Sequence, residues 1–200
     1  LLLSLLEFPS NWFEQVESSI IRQYKDLQIK GDIDNSVLAG FILLDSNAKT
    51  IKVISLATGT KLMSGDQRKQ SAKIGAALIH DCHAEILSHR GLQAWLWDHL
   101  DSEYFELSDG KYRLRSNFSI HLYTSDPPCG DCCVHVFENS ENDSPIVSVQ
   151  TGAKPFGWDQ SQLSTSPPSI VRGKPGRGSR SQSVSCSDKI TLWIHTGLQG

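Results

Sequence analysis

The 200-residue sequence lacks an excess of positive charge: 19 Lys and Arg face 22 Asp and Glu, for a formal net charge of −3 at pH 7. That excludes a uniformly basic coat of the kind that grips nucleic acid over a whole surface. It also lacks any apolar run approaching the roughly 20 residues a membrane span needs. Leu1–Leu6 is the most apolar stretch, but without a basic flank or a cleavage site it does not read as a signal peptide. Internal repeats are absent, and the chain starts on Leu1 rather than Met, as a trimmed or partial gene product would. Cysteine is scarce and odd in number, five in all, and three of the five (Cys129, Cys132, Cys133) crowd into one short stretch. A secreted disulfide framework does not look like that. Metal-binding or catalytic thiols in a reducing compartment do, so an intracellular location, cytoplasmic or nuclear, is expected.

What is present suffices for one domain. The chain is 38% apolar and 20% charged, far from the disordered regime. A globule of this length buries roughly 70% of its unfolded surface and needs no cross-links. Ser10 to about Leu27 reads as an amphipathic helix capped by Ser10, with Trp12, Phe13, Val16, Ile20 and Tyr24 in helical spacing. Gly31–Asn35 reads as a turn. Val37–Leu44 and Ile51–Leu56 read as an antiparallel hairpin broken at Asp45-Ser46-Asn47. Thr58 through Gln70 reads as loop. Ala84–Leu100 reads as a long helix with Leu87, Gly91, Ala94, Trp95 and Leu100 inward, and Phe118–Thr124 as a buried strand. Pro127-Pro128 ends that strand, and a short helix is expected from Cys129. Ser161–Ser187 holds nine serines in 27 residues, so residues 159–184 are expected to form a flexible, basic, serine-rich loop. Asp188–His195 reads as a short helix. Helix, strands, helix, strand, helix is the order of a layered α/β domain.

Charge is uneven along this chain. Between Pro168 and Ile190, Arg172, Lys174, Arg177, Arg180 and Lys189 face only Asp188, while the remainder is acidic. Such a segment is either a polyanion contact or a solvated loop. Glycines flanking Arg177 would let it approach phosphates closely, which makes it the first candidate among them.

The chemistry concentrates in His83-Ala84-Glu85 and, 46 residues on from His83, Pro128-Cys129-Gly130-Asp131-Cys132. Together they match H-x-E…P-C-x-x-C, the zinc deaminase pattern. Each half alone is weak, since His-x-Glu is common on helix surfaces and C-x-x-C also serves redox and structural zinc. Zinc takes nitrogen and thiolate donors, and a catalytic site keeps one position open to water, whose pKa the ion lowers toward neutrality. Both segments are expected at helix N-termini, where the dipole favours thiolate. Glu85 separates chemistry from scaffolding, because a structural zinc site has no use for a carboxylate that moves protons. The third ligand is open on the residues alone: Cys132 lies one helical turn from Cys129, and Cys186 lies 57 residues beyond it.

At these residues the chain resembles the adenosine deaminases that act on RNA, and within them the tRNA-specific branch. The resemblance is carried by Val37-Leu38-Ala39-Gly40, Gly59-Thr60-Lys61, Asp81-Cys82-His83-Ala84-Glu85, Pro128-Cys129-Gly130-Asp131, Thr151-Gly152-Ala153-Lys154, Lys174-Pro175-Gly176-Arg177-Gly178 and Ser185-Cys186-Ser187-Asp188-Lys189-Ile190, in family order. It implies a three-layer α/β/α cytidine-deaminase-like fold with a mixed central sheet, and hydrolytic conversion of adenosine to inosine beside the anticodon of alanine tRNA. It implies zinc on His83, Cys129 and Cys186, with Glu85 as proton shuttle and Cys132 as a departure where the family usually has Ala. It implies a buried inositol hexakisphosphate near Asp81, Arg90, Lys154, Lys189 and Trp193, with His89 standing where related editors often carry a second Arg. It implies RNA contacts at Thr60, Lys61, Lys174 and Arg177. The family's domain continues past the position of Gly200, so the expectation is one C-terminally incomplete domain over 1–200 holding part of the anion pocket.

Two other readings stand beside this one. A cytidine or free-nucleoside deaminase would not need the basic 168–190 segment. A non-enzymatic, zinc-stabilised RNA-binding fragment or pseudoenzyme would not need Glu85. Trp12, Trp95, Trp97 and Trp193 read as core, with Trp158 open, and His80, His89, His99, His121, His135 and His195 read as surface or satisfied core histidines.

Overall fold

A computed structural model of the chain describes residues 11–27, 36–137, 146–149, 153–155, 171–174, 179 and 181–199, with only the backbone of 134–137, 146–149 and 154–155. The expected Gly31–Asn35 turn and most of the 159–184 loop, with Trp158, Arg177 and Arg180, lie outside the described residues.

The organising element is strand β1 (Leu38–Asp45), buried over seven of its eight residues. It lies between β2 (Thr50–Thr58) and β7 (Phe118–Thr124), antiparallel to both. Because both faces of β1 are apolar, both need covers. Helix α1 (Trp12–Asp26) covers one, and every fourth residue, Trp12, Val16, Ile20 and Tyr24, packs with Leu38, Ile42 and Leu44. Helix α3 (Ala84–His99) covers the other, setting Leu92 and Trp95 against Phe41, Leu43 and Phe105. This is the expected three-layer order. Contact between α3 and the sheet is close enough that a Cβ on Gly91 would stand 2.9 Å from the Ser55 Cβ.

Several local expectations need correction. Asn11, not Ser10, occupies the N-cap of α1. Thr58–Gln70 is not loop: it holds β3 (Thr60–Leu62) and α2 (Gly65–Lys73). Helix α2 buries only Ser71, so it has no apolar stripe to read; a Ser64–Gln67 capping box supports it instead. β3 pairs antiparallel with β4 (Asp81–His83), which feeds directly into α3. In α3 the inward face is Glu85, Ser88, His89, Leu92 and Trp95, whereas Ala94 and Trp97 are exposed. Polar side chains on that face displaced the apolar reading. A hairpin of β5 (Phe105–Ser108) and β6 (Lys111–Leu114) also went unread, although Asp109-Gly110, both at positive φ, is a strong turn signal. After Pro128 the chain makes only a 3-10 turn, Asp131–Cys133, before β8 (Val134–Phe137), which pairs with β9 (Ile146–Val149).

Two short strands, β10 (Lys154–Pro155) and β11 (Arg172–Gly173), pair antiparallel, and helix α4 (Cys186–Thr196) closes the described chain. No helix among the described residues is long and apolar enough to cross a membrane.

Leu92 is wholly buried and Trp97 is 77% exposed on the same helix. Leu92→Ala therefore destabilises by about 2–5 kcal/mol, and Trp97→Ala stays within about 0.5 kcal/mol of wild type. Urea unfolding of the two variants checks both values.

Candidate metal centre

Three chain segments far apart in sequence meet at one point. His83 ends β4 and serves as N-cap of α3, Cys129 stands before the 3-10 turn, and Cys186 opens α4. Their ligand atoms all lie within 4.8 Å of one another. His83 Nδ1 is 3.9 Å from Cys129 Sγ and 3.6 Å from Cys186 Sγ. Cys186 is fully buried, and its backbone N–H donates to Cys129 Sγ over 3.4 Å. The N-terminal, positive end of α3 stands at His83, as expected; Cys129, expected at a helix N-terminus too, precedes only the 3-10 turn, and the second helix end here is that of α4 at Cys186.

The Cys129 turn is held against α4 by Ser187. Its hydroxyl lies within hydrogen-bond distance of Pro128 O, Cys129 O and the Cys132 N–H, and its N–H donates to Cys129 O. Gly130 (φ +114°) lies so close that a Cβ there would stand 2.7 Å from the Ser185 Cβ and 3.0 Å from the Ser187 Oγ. Ser185 caps α4, accepting from the Asp188 N–H.

Electrostatics favour thiolate at this point. Cys129 is pulled down to about 4, first by its hydrogen bond from Cys186, then by His83 and by the Lys174 ammonium, against the effect of burial. The same shared bond pushes Cys186 up, and burial adds to it. One negative charge is thus already settled on the pair, and a divalent cation would take both sulfurs as thiolates. Glu85 follows in the first turn of α3, 2% exposed, and its Oε2 is buried with no hydrogen-bond partner among the described residues. Its charge acts on both Cys186 and Cys133. One imidazole and two sulfurs make a three-donor set that fits zinc with one open position, and the buried Glu85 oxygen is left outside that set, unpaired. Cys132 is exposed and does not join the cluster, while Cys133 turns inward to Pro127 O and Pro128 O.

The basic 168–190 segment is where sequence reasoning went furthest astray. Lys174 is 1% exposed, so it is not free to track phosphates. Its ammonium donates to both carboxylate oxygens of Asp81, at 3.0 and 2.9 Å, and to Cys186 Sγ at 3.1 Å. Burial works against that charge, but Cys186, Asp81 and Cys129 hold Lys174 above its ordinary value. Arg172 is also fully buried, on Asp131. Ser181, Ser185 and Ser187 are buried too, so part of the expected loop is interior. Serine hydroxyls here bind interior groups, Ser183 on Asp81 and Ser187 on the Cys129 turn, which the serine-rich composition did not signal.

Asp81 also accepts from Ser183 Oγ at 2.9 Å and from the Lys189 ammonium. With Arg90 and Lys189 it lines a cavity of about 620 Å³ that Arg68, Lys69 and His80 share. Arg90 is exposed; Trp193 instead stacks on His89 at 3.9 Å, and His89 Nε2 is bonded to Leu198 O at 2.7 Å. His89 is thus a satisfied interior histidine. Lys154 lies in β10, its side chain outside the described residues, as is Arg177. Thr60 and Lys61 are exposed on β3, Thr60 directly across from His83.

Asp81 is held well below the usual carboxylate range: burial pushes up, and Lys174 with Lys189 outweighs it. A depressed folded value gives stability that is full above the unfolded pKa near 4 and is lost as pH falls through the folded value. Asp81→Asn strands the buried Lys174 charge and costs about 3–5 kcal/mol at neutral pH. It also flattens the acid limb below pH 4. Urea midpoints measured from pH 2 to 7 check both effects.

The adenosine-deaminase (editase) domain profile matches residues 55–200. The Drosophila melanogaster double-stranded RNA-specific editase Adar is 31% identical over 98% of this chain and 32% of its own length. tRNA-specific adenosine deaminase 1 of the same species is 31% identical over 82% of this chain and 43% of its length. Its Schizosaccharomyces pombe namesake is 34% identical over 78% of this chain and 42% of its length. The chain spans between a third and a half of these relatives. A profile match over most of the chain, ending on the segment that delivers Cys186, makes it a member of the adenosine-deaminase (editase) domain family.

Proposed function

We propose that the chain is the catalytic portion of a zinc-dependent adenosine deaminase acting on tRNA next to the anticodon, with His83, Cys129 and Cys186 as ligands and Glu85 as proton carrier. The observation that carries this reading is the convergence of those three donors near a buried carboxylate with an unpaired oxygen. A bound zinc ion supplies a Lewis acid that makes water nucleophilic near neutral pH. Net hydrolysis consumes adenosine and water and yields inosine and ammonia, so a proton must travel from water to the ring and then to the departing amine. Glu85 Oε2 is the atom suited to hold it, because no other donor occupies it and solvent does not reach it.

The base must leave its stack to reach this depth, at a cost of a few kcal/mol that is least in a single-stranded loop. An anticodon loop, that of alanine tRNA first, meets that condition. Through the pairing of β3 with β4, Thr60 lies across from His83 and Lys61 across from Cys82, and both are exposed, which suits them to meet the RNA beside the centre. Arg177 completes the proposed RNA contact; Lys174 leaves it, being committed to Asp81. For inositol hexakisphosphate, the cavity bounded by Arg68, Lys69, His80, Arg90 and Lys189 offers cationic donors of the kind a polyphosphate requires. Lys154 and Trp193 stay in that proposal.

Unmodified alanine tRNA incubated with the zinc-loaded chain, with and without inositol hexakisphosphate, should gain inosine. Glu85→Gln should lower that rate by roughly 10²–10⁴. Ammonia from free cytidine or adenosine alone would favour a nucleoside deaminase instead. RNA retention with no turnover would favour a binding module. Metal analysis separates the ligand sets: Cys186→Ala loses zinc, and Cys132→Ala, altering an exposed thiol, keeps it.

A further inference from the structure

The most deeply buried charged side chain outside the proposed ligand set is Arg172, at 0% exposure. Its Nε donates to Asp131 Oδ1 over 2.7 Å, while both Nη atoms are buried with no hydrogen-bond partner among the described residues. As a device for stability alone that is a poor choice, since unpaired buried donors are costly and an apolar side chain of similar volume would avoid them. What the arrangement does achieve is a bridge. Asp131 is two residues from Cys129, inside the turn Asp131–Cys133. On the other side the Arg172 N–H donates to Asp188 Oδ2 over 3.0 Å, and the Arg172 carbonyl accepts from the Ser185 N–H over 2.7 Å. Ser185 and Asp188 are the cap and first turn of α4, on either side of Cys186. One residue therefore grips the turn that carries one thiol and the helix end that carries the other.

We propose that Arg172 is a positioning residue for the metal centre: through Asp131 it fixes the Cys129 turn against the first turn of α4, so that the two sulfurs stand at one ion's reach. The inference rests on the metal-centre reading above. Its physical content is that the second contact is a fixed planar donor, not a mobile charge. A guanidinium Nε has one direction in which to donate, and here that direction is set by a backbone locked between Ser185 and Asp188. Loss of the contact would leave the segments joined through Ser187 and the Cys186 N–H to Cys129 Sγ, with no ion-pair brace on Asp131 from Arg172, and would let the turn drift. Residues that orient ligands without touching the ion commonly change metal affinity ten- to a hundredfold.

Cobalt(II) titration of the whole chain reads this directly, because thiolate ligands give an intense charge-transfer band and a tetrahedral site gives strong visible bands. Arg172→Gln and Asp131→Asn should each weaken cobalt and zinc binding roughly tenfold to a hundredfold and alter the visible bands. The double variant should be no worse than the poorer single one, since both remove one contact. Arg172→Lys should recover part of the loss. Should Arg172→Gln fail to fold, Asp131→Asn, whose side chain is 30% exposed, carries the test by itself. Wild-type affinity and spectra in these variants, with only the urea midpoint of the metal-free chain lowered, would overturn the proposal, as would losses that multiply in the double variant. A wild-type chain with no thiolate-to-cobalt band would instead overturn the metal-centre reading on which it rests.

Discussion

The site depends on a single buried ammonium. Lys174 has three N–H donors, and all three find acceptors: two oxygens of Asp81 and the sulfur of Cys186. A lysine drawn this far from water is tolerable only when its charge is matched, because the loss of hydration is worth several kcal/mol per ion. The match also fixes geometry. Asp81 begins β4, which delivers His83 two residues later, and Cys186 begins α4. Whatever satisfies Lys174 thereby sets the histidine and one cysteine at a defined separation, though 103 positions divide them in sequence. Serine hydroxyls complete the lattice: Ser183 on Asp81, Ser187 on the Cys129 turn.

Charge accounting at the centre follows from the same network. Two sulfurs and the Glu85 carboxylate converge, and Lys174 with the N-terminal ends of α3 and α4 offsets part of their negative charge before any ion arrives. A divalent cation brings the remainder. The hydrogen bond the two thiols share lowers Cys129 and raises Cys186, with Lys174 favouring the charged form of both. An arrangement of this kind is primed for an ion and incomplete without one.

How much of this was legible depends on which residues carry periodicity. Trp12, Val16, Ile20 and Tyr24 announce α1 because each step of four buries another apolar side chain, β1 announces itself by an apolar run, and β7, half-buried rather than buried, by the alternation of Phe118, Ile120 and Leu122 with Ser119 and His121. Helix α2 stays silent because it buries one serine and is held by its cap. The inner face of α3 is misread because three of its buried residues are polar: Glu85 beside the metal centre, Ser88 bonded to Glu85 O, and His89 packed on Trp193 and bonded to Leu198 O. The donors His83, Cys129 and Glu85 stand out by type and spacing. Cys186 does not: spacing alone favours Cys132, the family resemblance points to Cys186, and the fold turns Cys132 outward and brings α4 back onto the Cys129 turn. The positions implied for a polyphosphate divide likewise, with Arg90 and Lys189 on the cavity and Trp193 against His89.

The basic segment shows why counting charges along a sequence misleads. Arg172 and Lys174 are two of the five cations that give the 168–190 stretch its excess, yet both are spent inside, on Asp131 and Asp81. A cation neutralised at 3 Å by a buried carboxylate adds almost nothing to the field outside. Near the site, exposed cations sit on other elements: Lys61 on β3, Arg68, Lys69 and Lys73 on α2, and Arg90 on α3. Three of them, Arg68, Lys69 and Arg90, line the cavity beside Asp81. Within the described part of the serine-rich stretch, Ser183 and Ser187 bind Asp81 and the Cys129 turn, internal cohesion where composition had suggested reach.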